Sequence, residues 1–175
     1  MTATIEEHPG RLTGKGAPLT TLGPKLEVGQ TAPDFALASA DLSPKTLADY
    51  AGKVKVLSVV PSLDTPVCDT QTRKFNEAAG GLGDGVVVLT ISLDLPMAQK
   101  RWCGAAGVDA VECLSDYRDH KFGYDYGLRI KENALLARTI LVLDTDNVIR
   151  YLQVVPEIVD EPDYDAALAA AKGLV

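Results

Sequence analysis

Two stretches of the chain, Val54–Val60 (VKVLSVV) and Val86–Ser92 (VVVLTIS), are nearly unbroken runs of apolar, mostly β-branched residues. Neither alternates as a half-exposed strand would, so both predict central strands covered on two faces. Between them, Thr65 to Ala79 has no glycine, places Phe75 and Ala79 four apart and stops at Gly80 and Gly81, which predicts a helix with a glycine terminator. Together these make a βαβ unit. A second helix is predicted from a start at Asp94 and Pro96, through Met97–Ala106, to Gly107, with Cys103 toward its C-terminal part. Val111–Leu114 then reads as a short strand and Asp119–Tyr126 as a weak helix interrupted by Gly123. Arg138–Leu143 and Val148–Val155 read as strands joined by the polar turn Asp144–Asn147, and Pro162 opens a last helix through Ala171.

Upstream of this body the pattern is looser. Residues 1–28 form a leader rich in Gly, Thr and Pro, whose apolar pieces around Leu12 and Pro18–Leu22 allow at most a small hairpin that covers the core. Asp34–Ala38 resembles a short strand, and Ser43 with Pro44 predicts the N-cap and first residue of a brief helix to Tyr50. Alternating strands and helices, then a hairpin and a final helix, define an α/β class with a central mixed sheet flanked by helices. No repeat or break in composition divides residues 1–175, so a single domain is expected.

Composition narrows the possible functions. With 46% hydrophobic and 23% charged residues, 175 residues suffice for one core that buries roughly 70% of the unfolded surface. No apolar run approaches the ~18 residues of a membrane-spanning helix, and Met1–Leu26 lacks the apolar centre of a secretory signal, so the expected location is cytoplasmic. A net charge of -7 argues against nucleic acid and anionic lipid as partners. Three cysteines, Cys68, Cys103 and Cys113, do not form a disulfide framework in a reducing compartment and point to redox or catalytic work, against the ordinary alternative of small buried hydrophobes. Their wide spacing, without CxxC or HxxxH, disfavours a zinc site, and no metal or cofactor is expected.

Cys68 carries the strongest chemical signal. It follows the strand Val54–Val60 in the first turn of the next helix, where open α/β sheets bind ligands and where unpaired N–H groups and the helix dipole favour a thiolate. The segment from Pro61 to Cys68 (PSLDTPVC) has a proline, three residues, Thr65, two residues and the cysteine, and this resembles the active-site motif of peroxiredoxins. The fuller Ser62–Cys68 resembles their bacterial thiol peroxidase branch. Gly29–Phe35, Ser92–Pro96, Arg101–Cys103 and Leu136–Arg138 are similar to that family's other landmarks, so the resemblance spans all but the leader.

The resemblance implies a thioredoxin-like fold with Cys68 as peroxidatic cysteine, Cys103 as resolving cysteine, and Pro61, Thr65 and Arg138 shaping the peroxide pocket. It implies reduction of hydrogen peroxide and alkyl hydroperoxides through a cysteine sulfenic acid and an intramolecular Cys68–Cys103 disulfide, recycled by thioredoxin in a homodimer. Ionisation of a thiol gains only about tenfold, so the rest of the rate must come from donors aimed at the breaking O–O bond. Structural roles stand beside these: Thr65 as N-cap, Pro61 as strand terminator, Arg138 as a charge at a strand edge. Cys103 lies 35 positions beyond Cys68, so the two meet only in space. On separate helices each ~10 Å wide, their sulfurs are not expected to touch before local unwinding. Cys113, within an apolar strand, reads as a buried inert thiol. Two rival functions remain, a thiol–disulfide oxidoreductase, which the missing CxxC disfavours, and a peroxide-sensing redox relay.

Overall fold

The structure is a computed structural model that describes residues 4–175. In chain order it contains β1 (Glu7–Gly14), β2 (Ala17–Leu22), β3 (Leu37–Ala38), β4 (Pro44–Lys45), β5 (Val54–Val59), α1 (Pro66–Ala79), β6 (Val86–Ser92) and α2 (Pro96–Ala106). There follow β7 (Glu112–Ser115), α3 (Lys121–Asp125), β8 (Arg129–Ile130), β9 (Thr139–Leu143), β10 (Ile149–Val154) and α4 (Tyr164–Lys172). The larger sheet has the order β10-β9-β5-β6-β7-β3-β4, and β1, β2 and β8 form a second, three-stranded sheet.

The two apolar runs are the central strands β5 and β6, paired in parallel with Val54 opposite Val86 and Val59 opposite Ile91. β7 continues the parallel set beside β6, whereas β9 joins the other side of β5 antiparallel, so the sheet is mixed as expected. The runs lack alternation because each face has its own core. Leu57, Val59, Leu89, Ile91, Leu141 and Leu143 face the N-terminal hairpin and residues 122–137, where they meet Leu12, Leu19, Phe35, Tyr126 and Ile130. Val54, Val56, Val88, Ile140 and Val142 face α1, α2 and α4, packed with Phe75, Leu82, Ala167 and Ala171. The leader does form a hairpin, and Leu12 and Leu19 seal one face of the core.

Several local expectations are corrected. Ser43 and Pro44 do not start a helix; Pro44–Lys45 pairs with Leu37–Ala38, and the only helical turn is a short 3-10 segment, Leu47–Tyr50, capped by Thr46 and Asp49. Asp94 does not cap α2, because its carboxylate is taken by Ser62, Leu63 and Ser92, and Leu95 occupies the cap position instead. The strand Arg129–Ile130, which pairs with β2, has too few residues to show a period. Gly127 has φ +62° and lies against the Pro24 carbonyl, so this crossing of hairpin and body has no room for a Cβ. Among the described residues no helix is long and apolar enough to cross a membrane.

Candidate active site

β5 ends at Val59, and the chain turns through Pro61–Thr65 before α1 begins with Pro66 as its first residue. Proline suits that position because its missing N–H has no helical partner there. The turn is fastened to the end of β6 by Asp94, which accepts from Ser62 Oγ at 2.7 Å, Leu63 N at 2.8 Å and Ser92 Oγ at 2.7 Å. Cys68 therefore falls in the first turn of α1, as its sequence position predicts, and its side chain is fully buried.

Two donors reach its sulfur. Thr65 Oγ1 lies 2.8 Å from Cys68 Sγ and Arg138 Nη2 lies 3.4 Å from it. Thr65 stands at the N-cap of α1, yet its hydroxyl does not cap the helix; its other contact is the Ser62 carbonyl at 2.9 Å. One hydroxyl hydrogen cannot serve both, so it goes to Ser62 when the sulfur is a thiol and can turn to the sulfur when it is a thiolate.

Arg138, just before β9, is 2% exposed. Its Nε donates to the Ile158 carbonyl and its Nη1 to Gln71 Oε1, each at 2.8 Å. Gln71, one helical turn after Cys68, is itself held by its own donation to Ser58 Oγ at 2.8 Å. The guanidinium is thus fixed on two sides by neutral oxygens, and its third edge faces sulfur. No carboxylate pairs with it among the described residues. A buried cation with no carboxylate in direct contact is costly, Glu161 acting on it only at longer range, and a thiolate at Cys68 is the charge that would complete it.

Pro61, Thr65 and Arg138 line one cavity of about 390 Å³, so the structure brings the three predicted pocket residues together, and two of them, Thr65 and Arg138, also reach the Cys68 sulfur. Its remaining walls are largely apolar, from Pro66, Val67, Leu135, Ile158 and Val159, with Lys15 and Asn133 as the polar members. The sequence reading missed Gln71, Ser58 and Asp94, which touch the reacting groups' supports rather than the sulfur. A glutamine on the inward face of α1, one turn from the cysteine, was the available signal.

Cys103 is not brought to Cys68. It lies in the last turn of α2, which ends at Gly107 with φ 66°, and its sulfur is 3.2 Å from Cys113 Sγ on β7. The Cys113 hydrogen bond holds the Cys103 thiol below its ordinary range, while the same contact and burial push Cys113 up. All three cysteines are free thiols. α1 and α2 are linked beside Cys103 by Arg73, whose Nη1 donates to the Ala106 carbonyl at 3.0 Å and whose guanidinium lies 5.6 Å over the Trp102 ring.

A buried cysteine at a helix start, backed by threonine and arginine donors on a mixed α/β sheet, defines a thiol-based redox protein. Residues 27–168 match the Redoxin family, and the chain belongs to it. The thiol peroxidase of Streptococcus pneumoniae is 59% identical over 163 residues, covering 93% of this chain and 99% of that protein. The thiol peroxidase of Bacillus subtilis is 52% identical over 164 residues, covering 94% and 98%. Among solved structures, a peroxiredoxin-like protein from Aquifex aeolicus superposes with TM-score 0.89 at 41% identity, covering 96% of this chain and 99% of that one. The activity is thiol-dependent reduction of peroxides, and the fold is thioredoxin-like.

Proposed function

We propose that Cys68 is the peroxidatic cysteine, that Cys103 resolves its sulfenic acid as an intramolecular disulfide, and that Pro61, Thr65 and Arg138 form the peroxide pocket. The observation that carries this reading is the buried guanidinium of Arg138, in direct contact with no carboxylate among the described residues and with Nη2 3.4 Å from Cys68 Sγ. The Cys68 thiolate attacks one peroxide oxygen, the O–O bond breaks, and the departing oxygen leaves with a proton as water or an alcohol. Sulfur is oxidised by two electrons to sulfenic acid. Arg138 and Thr65 stabilise the thiolate and the charge that develops on the departing oxygen as the O–O bond breaks, with no reorganisation of the site. Peroxide itself is the oxidant, so the chemistry needs no metal or cofactor.

The substrates are hydrogen peroxide and small alkyl hydroperoxides, whose carbon chains suit the apolar wall of Leu135, Ile158 and Val159. Condensation of Cys103 with the sulfenic acid expels water. It requires the first turn of α1, the end of α2, or both to unwind, because the Cys103 sulfur contacts Cys113 rather than Cys68. A dithiol protein, thioredoxin, then reduces the disulfide. We place the chain in the cytoplasm as a homodimer of single-domain protomers, with neither nucleic acid nor membrane as partner. A thiol–disulfide oxidoreductase would need its cysteine open to protein disulfides, and the fully buried Cys68 disfavours that. Following peroxide loss with a thioredoxin system tests the reading: the wild-type protein turns over and Cys68→Ser does not. Turnover by Cys68→Ser would refute it.

A further inference from the structure

Cys113 is unexplained by the mechanism above. It lies ten positions after Cys103 on a different element, yet the two sulfurs are 3.2 Å apart. Cys113 also packs against the apolar group of Val60, Leu63 and Cys68, so it stands between the reactive cysteine's surroundings and Cys103. A cavity of about 420 Å³, bordered by Ser39, Lys45, Lys100, Glu112 and both thiols, opens over the pair.

We propose that Cys113 is a third redox-active thiol, which takes over the disulfide by attacking Cys103 and so leaves a Cys103–Cys113 bond as the form presented to the dithiol reductant. The proposal rests on the assignment of Cys68 and Cys103 given above. In the exchange, Cys113 gives its proton to solvent and its sulfur bonds to Cys103 Sγ. The Cys68–Cys103 bond breaks, and Cys68 departs with the electron pair as a thiolate. No further oxidant enters, because both oxidising equivalents came from the peroxide.

The direction of exchange follows from the geometry. A Cys68–Cys103 bond draws the Cys68 sulfur away from Thr65 and Arg138, leaving a buried guanidinium with no partner for its third edge. Exchange returns that sulfur to both donors and lets α1 rewind. The Cys103–Cys113 bond, by contrast, needs the two sulfurs to close from 3.2 Å to about 2.05 Å, with no helix to unwind. As Cys68 departs it returns to the waiting Arg138 cation and the Thr65 hydroxyl. In the reduced protein the Cys103 contact and burial keep the proton on Cys113; once Cys103 is bonded to Cys68 the burial remains, so exchange accelerates as pH rises.

Mapping the disulfides after a single turnover tests this. Reduced protein receives one equivalent of hydrogen peroxide, is acid-quenched, alkylated and digested with trypsin. No Lys or Arg lies between Trp102 and Tyr117, so Cys103 and Cys113 share the peptide 102–118. An internal bond lowers that peptide's mass by two hydrogen atoms, whereas a Cys68–Cys103 bond tethers it to the peptide 56–73. The wild-type protein is expected to carry the internal bond in roughly tenfold or greater excess, with Cys68 alkylated. Cys113→Ser is expected to trap the Cys68–Cys103 bond, and Cys68→Ser to form neither. If wild type and Cys113→Ser both carry only Cys68–Cys103, the relay is wrong while the resolving role of Cys103 stands. If Cys68→Ser gains the internal bond as fast as wild type, peroxide oxidises the pair directly and the relay is overturned. If Cys113→Ser forms no Cys68–Cys103 bond, the resolving role fails and the relay fails with it.

Discussion

Replacing Arg138 with alanine removes the one cation that, among the described residues, reaches the Cys68 sulfur, while leaving Thr65 and the first turn of α1 in place. Its three directed N–H groups serve Ile158, Gln71 and the sulfur at 2.8, 2.8 and 3.4 Å, so the guanidinium is held before any peroxide arrives. Loss of one such preorganised donor slows a reaction by about 10²–10³-fold, and that is the expected fall in the second-order rate constant for hydrogen peroxide. Ionisation of the thiol alone accounts for only about tenfold. Alkylation by a small haloacetamide, which needs the thiolate but breaks no O–O bond, should therefore slow by no more than about tenfold. Arg138→Lys should recover only part of the loss, since a point charge cannot donate to Ile158, Gln71 and sulfur together. Folding is not the cause of the loss, because two acceptors left unpaired cost about 1–3 kcal/mol each and removing a buried cation offsets part of it. Thermal melts check this. Stopped-flow measurement over a pH series is decisive: if the deficit shrinks to tenfold or less and disappears at alkaline pH, Arg138 only promotes ionisation and the transition-state argument is wrong.

Gln71→Leu removes the acceptor that fixes Arg138 Nη1 and leaves Ser58 Oγ without its donor. The peroxide rate constant should fall roughly tenfold with alkylation by haloacetamide little changed, because the residue acts through Arg138. One equivalent of peroxide should alter Trp102 fluorescence in two phases, sulfenic acid formation and then disulfide closure, and Cys103→Ser should lack the second. Arg73→Ala, which frees the Ala106 carbonyl and the Trp102 ring, should speed that second phase by up to about fivefold, the ~1 kcal/mol ceiling of an exposed contact. Asp116 is buried, and desolvation pushes its carboxyl up to about 6 despite N–H donors from Gly123 and Phe122. The folded state thus holds this proton more tightly than the unfolded state, whose carboxyl titrates near 3.8. Stability should fall by up to about 3 kcal/mol as pH rises from about 4 to 6. Asp116→Asn should flatten that slope in denaturant titrations, and an unchanged slope would remove Asp116 as its source.

The central architecture was legible because burial on both faces writes itself as the unbroken runs Val54–Val60 and Val86–Ser92. The position of Cys68 in a first helical turn followed from the glycine-free stretch Thr65–Ala79 and the glycines after it. Local pattern misled where tertiary demand overrode it. Ser43 and Pro44 have helix-start chemistry, but the backbone of Leu37–Ala38 needed an edge partner, and Pro44–Lys45 supplied it. Asp94 has N-cap chemistry, but three donors from the Pro61–Thr65 turn and the end of β6 claim its carboxylate. Arg138 sits before an apolar strand and could have been a surface charge; only the fold shows its guanidinium buried between Ile158, Gln71 and sulfur. The contact of Cys103 with Cys113 depends on how α2 packs against β7, and no periodicity or spacing encodes it.

Trapping the first oxidised species tests the central claim most directly. Reduced Cys103→Ser protein is mixed with one equivalent of hydrogen peroxide in the presence of a dimedone-type reagent, digested, and the modified residue identified by mass. The account predicts a single adduct on Cys68, formed at the wild-type peroxide rate, and none in Cys68→Ser. An adduct on Cys113 with Cys68 unmodified, or peroxide consumption that survives in Cys68→Ser, would contradict it.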